Sequence, residues 1–197
     1  MENIAGNYYD KHSSRNPIVR HLMQRFHTTI MTTIRPHAPR TILDVGCGEG
    51  HTTAIMHRAF PQSRIEGIEF DDKVVREAQK TYPQIPFTEG TIYAIDRPNA
   101  SYDLVMATEV LEHLENPLQG LSEMKRTSKK LVLITVPNEP WWRLMNIARL
   151  AYLKDLGNTP GHLNHWSARS LHAFLNPHFA KVEIRTAYVW NVALCIQ

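Results

Sequence analysis

Apolar positions first recur at helical spacing at Ile18, Leu22, Phe26, Ile30 and Ile34, which predicts an amphipathic helix from Pro17 to about Ile34. Before it lies the polar, turn-rich stretch NIAGNYYDKHSSRNP. The pattern then shortens to strand length. TILDVG is β-branched and runs into glycines, HTTAIMHRAF returns to a helical pattern until Pro61, and RIEGIEF is again strand-like. DDKVVREAQKTY predicts a helix with acids in its first turn, IPFTEGTI a strand and loop, and YDLVMAT a further strand. VLEHLENPLQGLSEMKRT reads as helix interrupted near Pro117, and KKLVLITVP as a buried strand of the kind found inside a parallel sheet. A helix from Ser167 to Leu175 precedes AKVEIRTAYVW and NVALCIQ, which would pair as antiparallel edge strands. This alternation predicts an open, doubly wound α/β sheet whose ligand sits outside the carboxyl ends of the strands.

Composition narrows the picture little further. A 197-residue chain with 43% hydrophobic and 21% charged residues can bury one good core, which excludes a disordered or low-complexity polymer. One domain over 1–197 is expected, with an N-terminal cap and helix over 1–36 and a substrate-side insertion over 138–166. Two distant cysteines, Cys47 and Cys195, and a start without a secretory pattern point to a reducing cytoplasm. The formal charge of +3 is dispersed, so no basic block marks a nucleic-acid surface. No apolar run reaches the roughly 20 residues that span a bilayer.

The chemistry concentrates after the first strand. Asp44-Val45-Gly46-Cys47-Gly48-Glu49-Gly50 forms a GxGxG turn, where backbone can approach a ligand that any Cβ would obstruct. It is neither the GxGxxG of dinucleotide enzymes nor a P-loop, which would need Gly-Lys-Ser/Thr. Glu69 ends the second strand, where a carboxylate can accept two hydrogen bonds from a ribose diol. Glycine turn and acid together describe a nucleoside pocket.

LDVGCGEG, GIEFDD, EGTIYAI ahead of SYDLVMATEVLEHL, and LVLITVPN, in that order over roughly 40–137, resemble the class I S-adenosylmethionine-dependent methyltransferases. The resemblance implies a Rossmann-like, mainly parallel seven-stranded sheet with an antiparallel C-terminal strand. It implies that Asp44 with Gly46, Cys47 and Gly48 holds the amino acid end of S-adenosylmethionine, Glu69 the ribose, and Phe70 a face of the adenine. Gly90, Thr91 and Ile92 would lie at the adenine edge and Thr108 beside the cofactor. Thr91 stands where the family more often has an acid.

Glu109, Glu112 and His113 follow the fourth strand. In the first turns of a helix their i, i+3, i+4 spacing would put all three on one face, as metal ligands or as acid and base. Glu112 and His113 are the candidate catalytic pair. ExxEH here resembles the ubiquinone-biosynthesis O-methyltransferases and the small-RNA 3′-end 2′-O-methyltransferases, which implies Mg2+ or Zn2+ held by Glu109, Glu112, His113 and a fourth ligand from GHLNHW, His165 or alternatively His162. Without metal, His113 would be the general base. His12 would be a lid residue, and Tyr8, Tyr9 and Arg15 would either close over bound cofactor or form a solvated arm.

The segment PWWRLMNIARLAYLKDL pairs Trp141, Trp142 and several aliphatics with Arg143, Arg149 and Lys154. It would cover the pocket, form a contact between copies, or lie peripherally in a membrane interface over 140–154, as the equivalent insertion of the ubiquinone O-methyltransferases does. The expected activity is O-methylation of a small aromatic or lipid-like, hydrophobic hydroxyl acceptor, releasing S-adenosylhomocysteine. An RNA 3′-end 2′-O-methyltransferase and a non-catalytic S-adenosylmethionine-binding partner protein are the rival readings.

Overall fold

A computed structural model describes residues 16–197. His12, Tyr8, Tyr9, Arg15 and the first part of the expected N-terminal cap lie outside the described residues.

Helix α1 (Pro17–Ile34) opens with Pro17 and is capped by Asn16, whose side-chain oxygen accepts from the Ile18 amide. Its buried face is Met23, Phe26, His27, Ile30, Thr33 and Ile34, whereas Ile18 is 69% exposed. A strict four-residue step drifts by about 40° each time around a helix of 3.6 residues per turn, so the first member of the expected stripe has rotated off the core.

Strand β1 (Thr41–Val45), α2 (His51–Ala59), β2 (Arg64–Glu69), α3 (Asp72–Thr81) and β3 (Phe87–Glu89) form the first half. Asp71 caps α3 by accepting from the Lys73 amide. Strand β4 (Tyr102–Thr108), α4 (Pro117–Thr127) and β5 (Ser128–Pro137) follow, then α5 (Trp141–Ala148), α6 (Ala168–Leu175), β6 (Lys181–Ala187) and β7 (Trp190–Ile196). Ser167 and Ser170 close a reciprocal capping box on α6.

The sheet order is β3-β2-β1-β4-β5-β7-β6. Strands β1 to β5 pair in parallel, and β7 inserts antiparallel between β5 and β6. The last two strands therefore pair as expected, but β6 alone is the edge. VALCI is apolar at every position because both faces of β7 are covered. One face of the sheet is packed by α1 and α2 through Phe26, Ile30, Ile34 and Met56. The other is packed by α4 and α6 through Leu121, Met124, Leu171 and Leu175. Strand order reverses at β1, between β2 and β4. The crevice outside the carboxyl ends of these strands is where ligands bind such sheets, and it receives Asp44, Glu69 and Thr108.

Candidate active site

The glycine turn is shaped by close approach. Gly46 has φ +71°, and a Cβ there would come within 2.6 Å of Val110 Cγ2. On Gly67, a Cβ would meet Cys47 Sγ and Phe87 at 2.7 Å, a constraint announced only by a glycine inside a β-branched strand. Gly48 differs: at φ +53°, a Cβ there would meet nothing within 4 Å among the described residues. The turn is tight toward the protein and open toward the crevice.

Asp44 is fully buried at the end of β1. The Thr53 hydroxyl donates to its Oδ2 at 2.6 Å, while Oδ1 has no hydrogen-bond partner among the described groups. Burial pushes its carboxyl up to about 7, with the nearby Glu69 adding to the rise and Thr53 opposing it. Glu69 faces it across the turn and ties the two motifs together. Its Oε2 accepts from the Gly48 amide at 3.0 Å, and its Oε1 from the Phe70 and Asp71 amides at 2.8 and 3.4 Å. Burial still raises the Glu69 carboxyl and outweighs those three donors. Burial likewise lifts the Cys47 thiol well above its ordinary range, which makes it a packing group rather than a nucleophile.

Phe70 is 45% exposed beyond β2, available to cover a planar ring. Gly90 continues β3 with its amide donating to the Glu69 carbonyl. The Thr91 hydroxyl accepts from the Tyr93 amide, and the Ile92 side chain turns into the core rather than toward the crevice. Thr108 ends β4 in register with Thr135 of β5.

The acid-rich turn after β4 departs from expectation. The chain does not enter a helix at Glu109: this residue sits at φ +60°, and a single 3-10 turn covers Leu111–His113. Helical periodicity therefore does not apply, and Glu109 leaves the other two. Its Oε2 accepts from the Trp190 indole N–H at 2.8 Å, and the Thr135 hydroxyl donates to its Oε1 at 3.5 Å. Among the described residues, Glu112, His113 and His162 form the one group with metal-ligating spacing, with all three ligand atoms within 4.8 Å of one another.

His165 is likewise outside this group. Its Nε2 pairs with Asn158 Oδ1 at 2.8 Å, and burial, then Arg143, lowers its basicity. His162, the alternative fourth ligand, is the histidine that reaches the turn. Its ring lies edge-on to His113 at 4.9 Å and stacks on Trp142.

His113 Nδ1 lies 2.9 Å from the Gly161 carbonyl oxygen. A carbonyl can only accept, so Nδ1 is the donor in this contact. Thr53, Gly161, Asn164 and Trp190 hold these groups, and sequence reasoning missed all four. Each acts across a tertiary contact that no local pattern records.

An open, mainly parallel sheet with a glycine turn and an acid at its switch point defines a Rossmann-like nucleoside-binding fold. The profile of the methyltransferase domain family matches residues 16–177, and the chain belongs to that family, of the class I S-adenosylmethionine-dependent kind. It is 29% identical over 160 residues to a trans-aconitate 2-methyltransferase of Azoarcus sp. (strain BH72), a match covering 75% of this chain and 60% of that protein. It is also 29% identical over 128 residues to a malonyl-[acyl-carrier protein] O-methyltransferase of Halalkalibacterium halodurans, covering 60% of this chain and 47% of that one. The chain thus spans about half the length of these curated relatives.

Solved structures share the fold. Magnesium protoporphyrin IX methyltransferase (ChlM) from Synechocystis PCC 6803 with bound SAH has a TM-score of 0.69 at 16% identity, covering 94% of this chain and 89% of that one. The methyltransferase domain of bacterial CtHen1 has a TM-score of 0.69 at 17% identity, covering 89% and 100%.

Proposed function

We propose that this protein transfers a methyl group from S-adenosylmethionine to a hydroxyl oxygen of a small aromatic or lipid-like acceptor, leaving S-adenosylhomocysteine. The observation that carries the reading is the juxtaposition of two half-sites. An open glycine turn with a buried, half-satisfied Asp44 lies against the turn that holds Glu112 and His113, Gly46 touching Val110.

The cofactor fits these residues. The unpartnered Asp44 Oδ1 supplies a buried acceptor for an ammonium group, and the open side of Gly48 leaves room for a ligand against the backbone. Glu69 would take the ribose hydroxyls and Phe70 the adenine face. When bound, the donor supplies an electrophilic methyl on a positively charged sulfur. His113 Nε2 takes the acceptor's hydroxyl proton as its oxygen gains the methyl and the sulfur keeps the electron pair of the broken bond.

The donor set also suits a divalent ion. Glu112, His113 and His162 offer one carboxylate and two imidazoles, which favours Zn2+ over the Mg2+ that prefers oxygen. These three would hold it, and it would lower the pKa of an acceptor hydroxyl. His113 would then be a ligand rather than the base.

The acceptor side supports a hydrophobic substrate. Trp141, Leu144, Ile147, Leu150, Leu153 and Leu156 recur at every third position, all between 38% and 78% exposed, with Arg143, Arg149 and Lys154 among them. Such a surface suits peripheral contact with a lipid interface. No described helix is long and apolar enough to cross a membrane. The O-methyltransferase name of one relative supports an oxygen acceptor.

Calorimetric titration of chelator-treated protein with S-adenosylhomocysteine, then Mg2+, then Zn2+, tests the reading. Cofactor binding followed by stoichiometric Zn2+ binding supports a metal-assisted transfer to vicinal hydroxyls. Cofactor binding alone leaves His113 as the base, and absence of cofactor binding overturns the proposal.

A further inference from the structure

We propose that Asn164 is the positioning residue of the acceptor side, holding the 111–113 turn and thereby selecting which ring nitrogen of His113 carries the proton. The inference rests on the reading of His113 as the group that faces the acceptor. A three-residue turn satisfies few of its own carbonyls, here the Leu111 carbonyl through the Leu114 amide at 3.3 Å, because the further partners that a longer helix would supply are missing. Here residues 163 and 164 supply them. The Leu163 and Asn164 amides both donate to the Glu112 carbonyl, at 2.7 and 3.0 Å. The Asn164 side chain donates from Nδ2 to the Leu114 carbonyl at 2.7 Å and to the Leu111 carbonyl at 3.2 Å. A primary amide nitrogen has two N–H groups, and both are used.

The same short stretch presents the Gly161 carbonyl to His113 Nδ1. Clamp and tautomer are therefore one device: Asn164 fixes where the 161–164 backbone lies relative to the turn, and that backbone fixes the ring. Neutral histidine on its own favours the proton on Nε2, so the contact selects the less favoured form and leaves Nε2 basic. The far end of the loop is anchored as well. The Trp142 indole N–H donates to Thr159 Oγ1 at 3.0 Å, and Asn146 Nδ2 to the Gly157 carbonyl at 2.8 Å. Gly157 sits at φ +77° where a Cβ would meet the Arg143 carbonyl oxygen at 2.5 Å. With α5 holding one end and the turn the other, the loop has little freedom to follow a misplaced ring.

The test uses 15N-resolved spectra of the His113 imidazole in chelator-treated full-length protein with S-adenosylhomocysteine bound, at a pH where histidine is neutral. The parent should show Nδ1–H. Asn164→Asp keeps the shape but sets a carboxylate against two carbonyl oxygens, and Asn164→Ala removes the group. Both should move His113 toward Nε2–H while S-adenosylhomocysteine affinity, which also reports folding, stays within about twofold. Asn164→Gln, which keeps both N–H donors, should restore part of the parent signature. A merely packing role would be preserved by the isosteric Asp and lost in Ala. His113 retaining Nδ1–H in Asn164→Asp, whatever Asn164→Ala does, overturns the proposal, as does a parent already in the Nε2–H form. Methyl transfer should fall about tenfold to a hundredfold with the tautomer change. If the tautomer shifts and transfer does not, the clamp stands and the reading of His113 as the base is what fails.

Discussion

The half of this crevice proposed to hold the cofactor and the half proposed to face the acceptor are built in different ways. On the cofactor side, Asp44, the glycine turn and Glu69 sit at the ends of adjacent parallel strands, and backbone amides and a nearby helix residue hold their carboxylates. On the acceptor side, Glu112 and His113 occupy a short turn braced by a loop, with His113 and its Gly161 partner 48 positions apart in the chain. The first half depends on secondary structure already in place, and the second on a long-range agreement between two irregular segments. Cofactor binding and acceptor chemistry should therefore fail separately under mutation, although Gly46 and Val110 touch at the seam.

The largest expected effect that would break this division is on the acceptor side. His113→Ala should reduce methyl transfer by about 10²- to 10⁴-fold, the usual worth of a positioned acid or base. The same variant should bind S-adenosylhomocysteine as the parent does by calorimetry. A large loss of cofactor affinity would show the two halves to be one unit.

Asp44→Ala should do the reverse, costing about 2–3 kcal/mol of cofactor affinity through loss of a buried charge-assisted partner, with Glu112 and His113 undisturbed. The pH dependence sharpens the point. With its carboxyl lifted to about 7, Asp44 is protonated below that pH and must release a proton to hold an ammonium group. Affinity for S-adenosylhomocysteine should be level above pH 8 and fall by up to about tenfold per unit below pH 7, with proton release detectable by changing the buffer. For the ligand-free protein the sign is opposite. A raised folded-state pKa means that stability is lost as pH rises from the ordinary 3.8 toward 7. Asp44→Asn should thus raise the ligand-free Tm above pH 7 while weakening cofactor binding. No gain in Tm would place the cost of that buried group elsewhere.

The smallest effect concerns the exposed apolar row. Trp141→Ser combined with Leu150→Ser should change stability by no more than about 0.5 kcal/mol per site, because neither side chain packs in the core. It should also reduce co-sedimentation with anionic vesicles. A parent protein that does not bind vesicles would remove the lipid interface from the reading and leave the methyl-transfer proposal intact.

What could be read in advance follows the same division. Strands β1, β4 and β5 were legible because parallel strands buried on both faces are near-continuous apolar runs, and the acidic first turn of α3 marks a helix start locally. The exposure of Ile18 and the insertion of β7 between β5 and β6 were not legible, since helical drift and strand order depend on what covers each element.

Within the site, Asp44 and Glu69 were visible as motif residues at strand ends, but the bond from the Gly48 amide to Glu69 that joins them was not. Glu109 was placed with Glu112 and His113 on the assumption of a helix. A left-handed backbone at Glu109 and an indole donor from β7 took it out of the group.

The sequence by itself determined the alternating architecture, the glycine turn and the identities of the acids and histidines available for chemistry, because these are encoded in local periodicity and in residue type. Only the tertiary structure decided that His162 rather than His165 reaches the turn, that Glu109 belongs to Trp190, and that the Gly161 carbonyl faces His113 Nδ1. The reason is physical. A short 3-10 turn and a loop carry too few internal hydrogen bonds to set their own geometry, so residues distant in the chain set it for them.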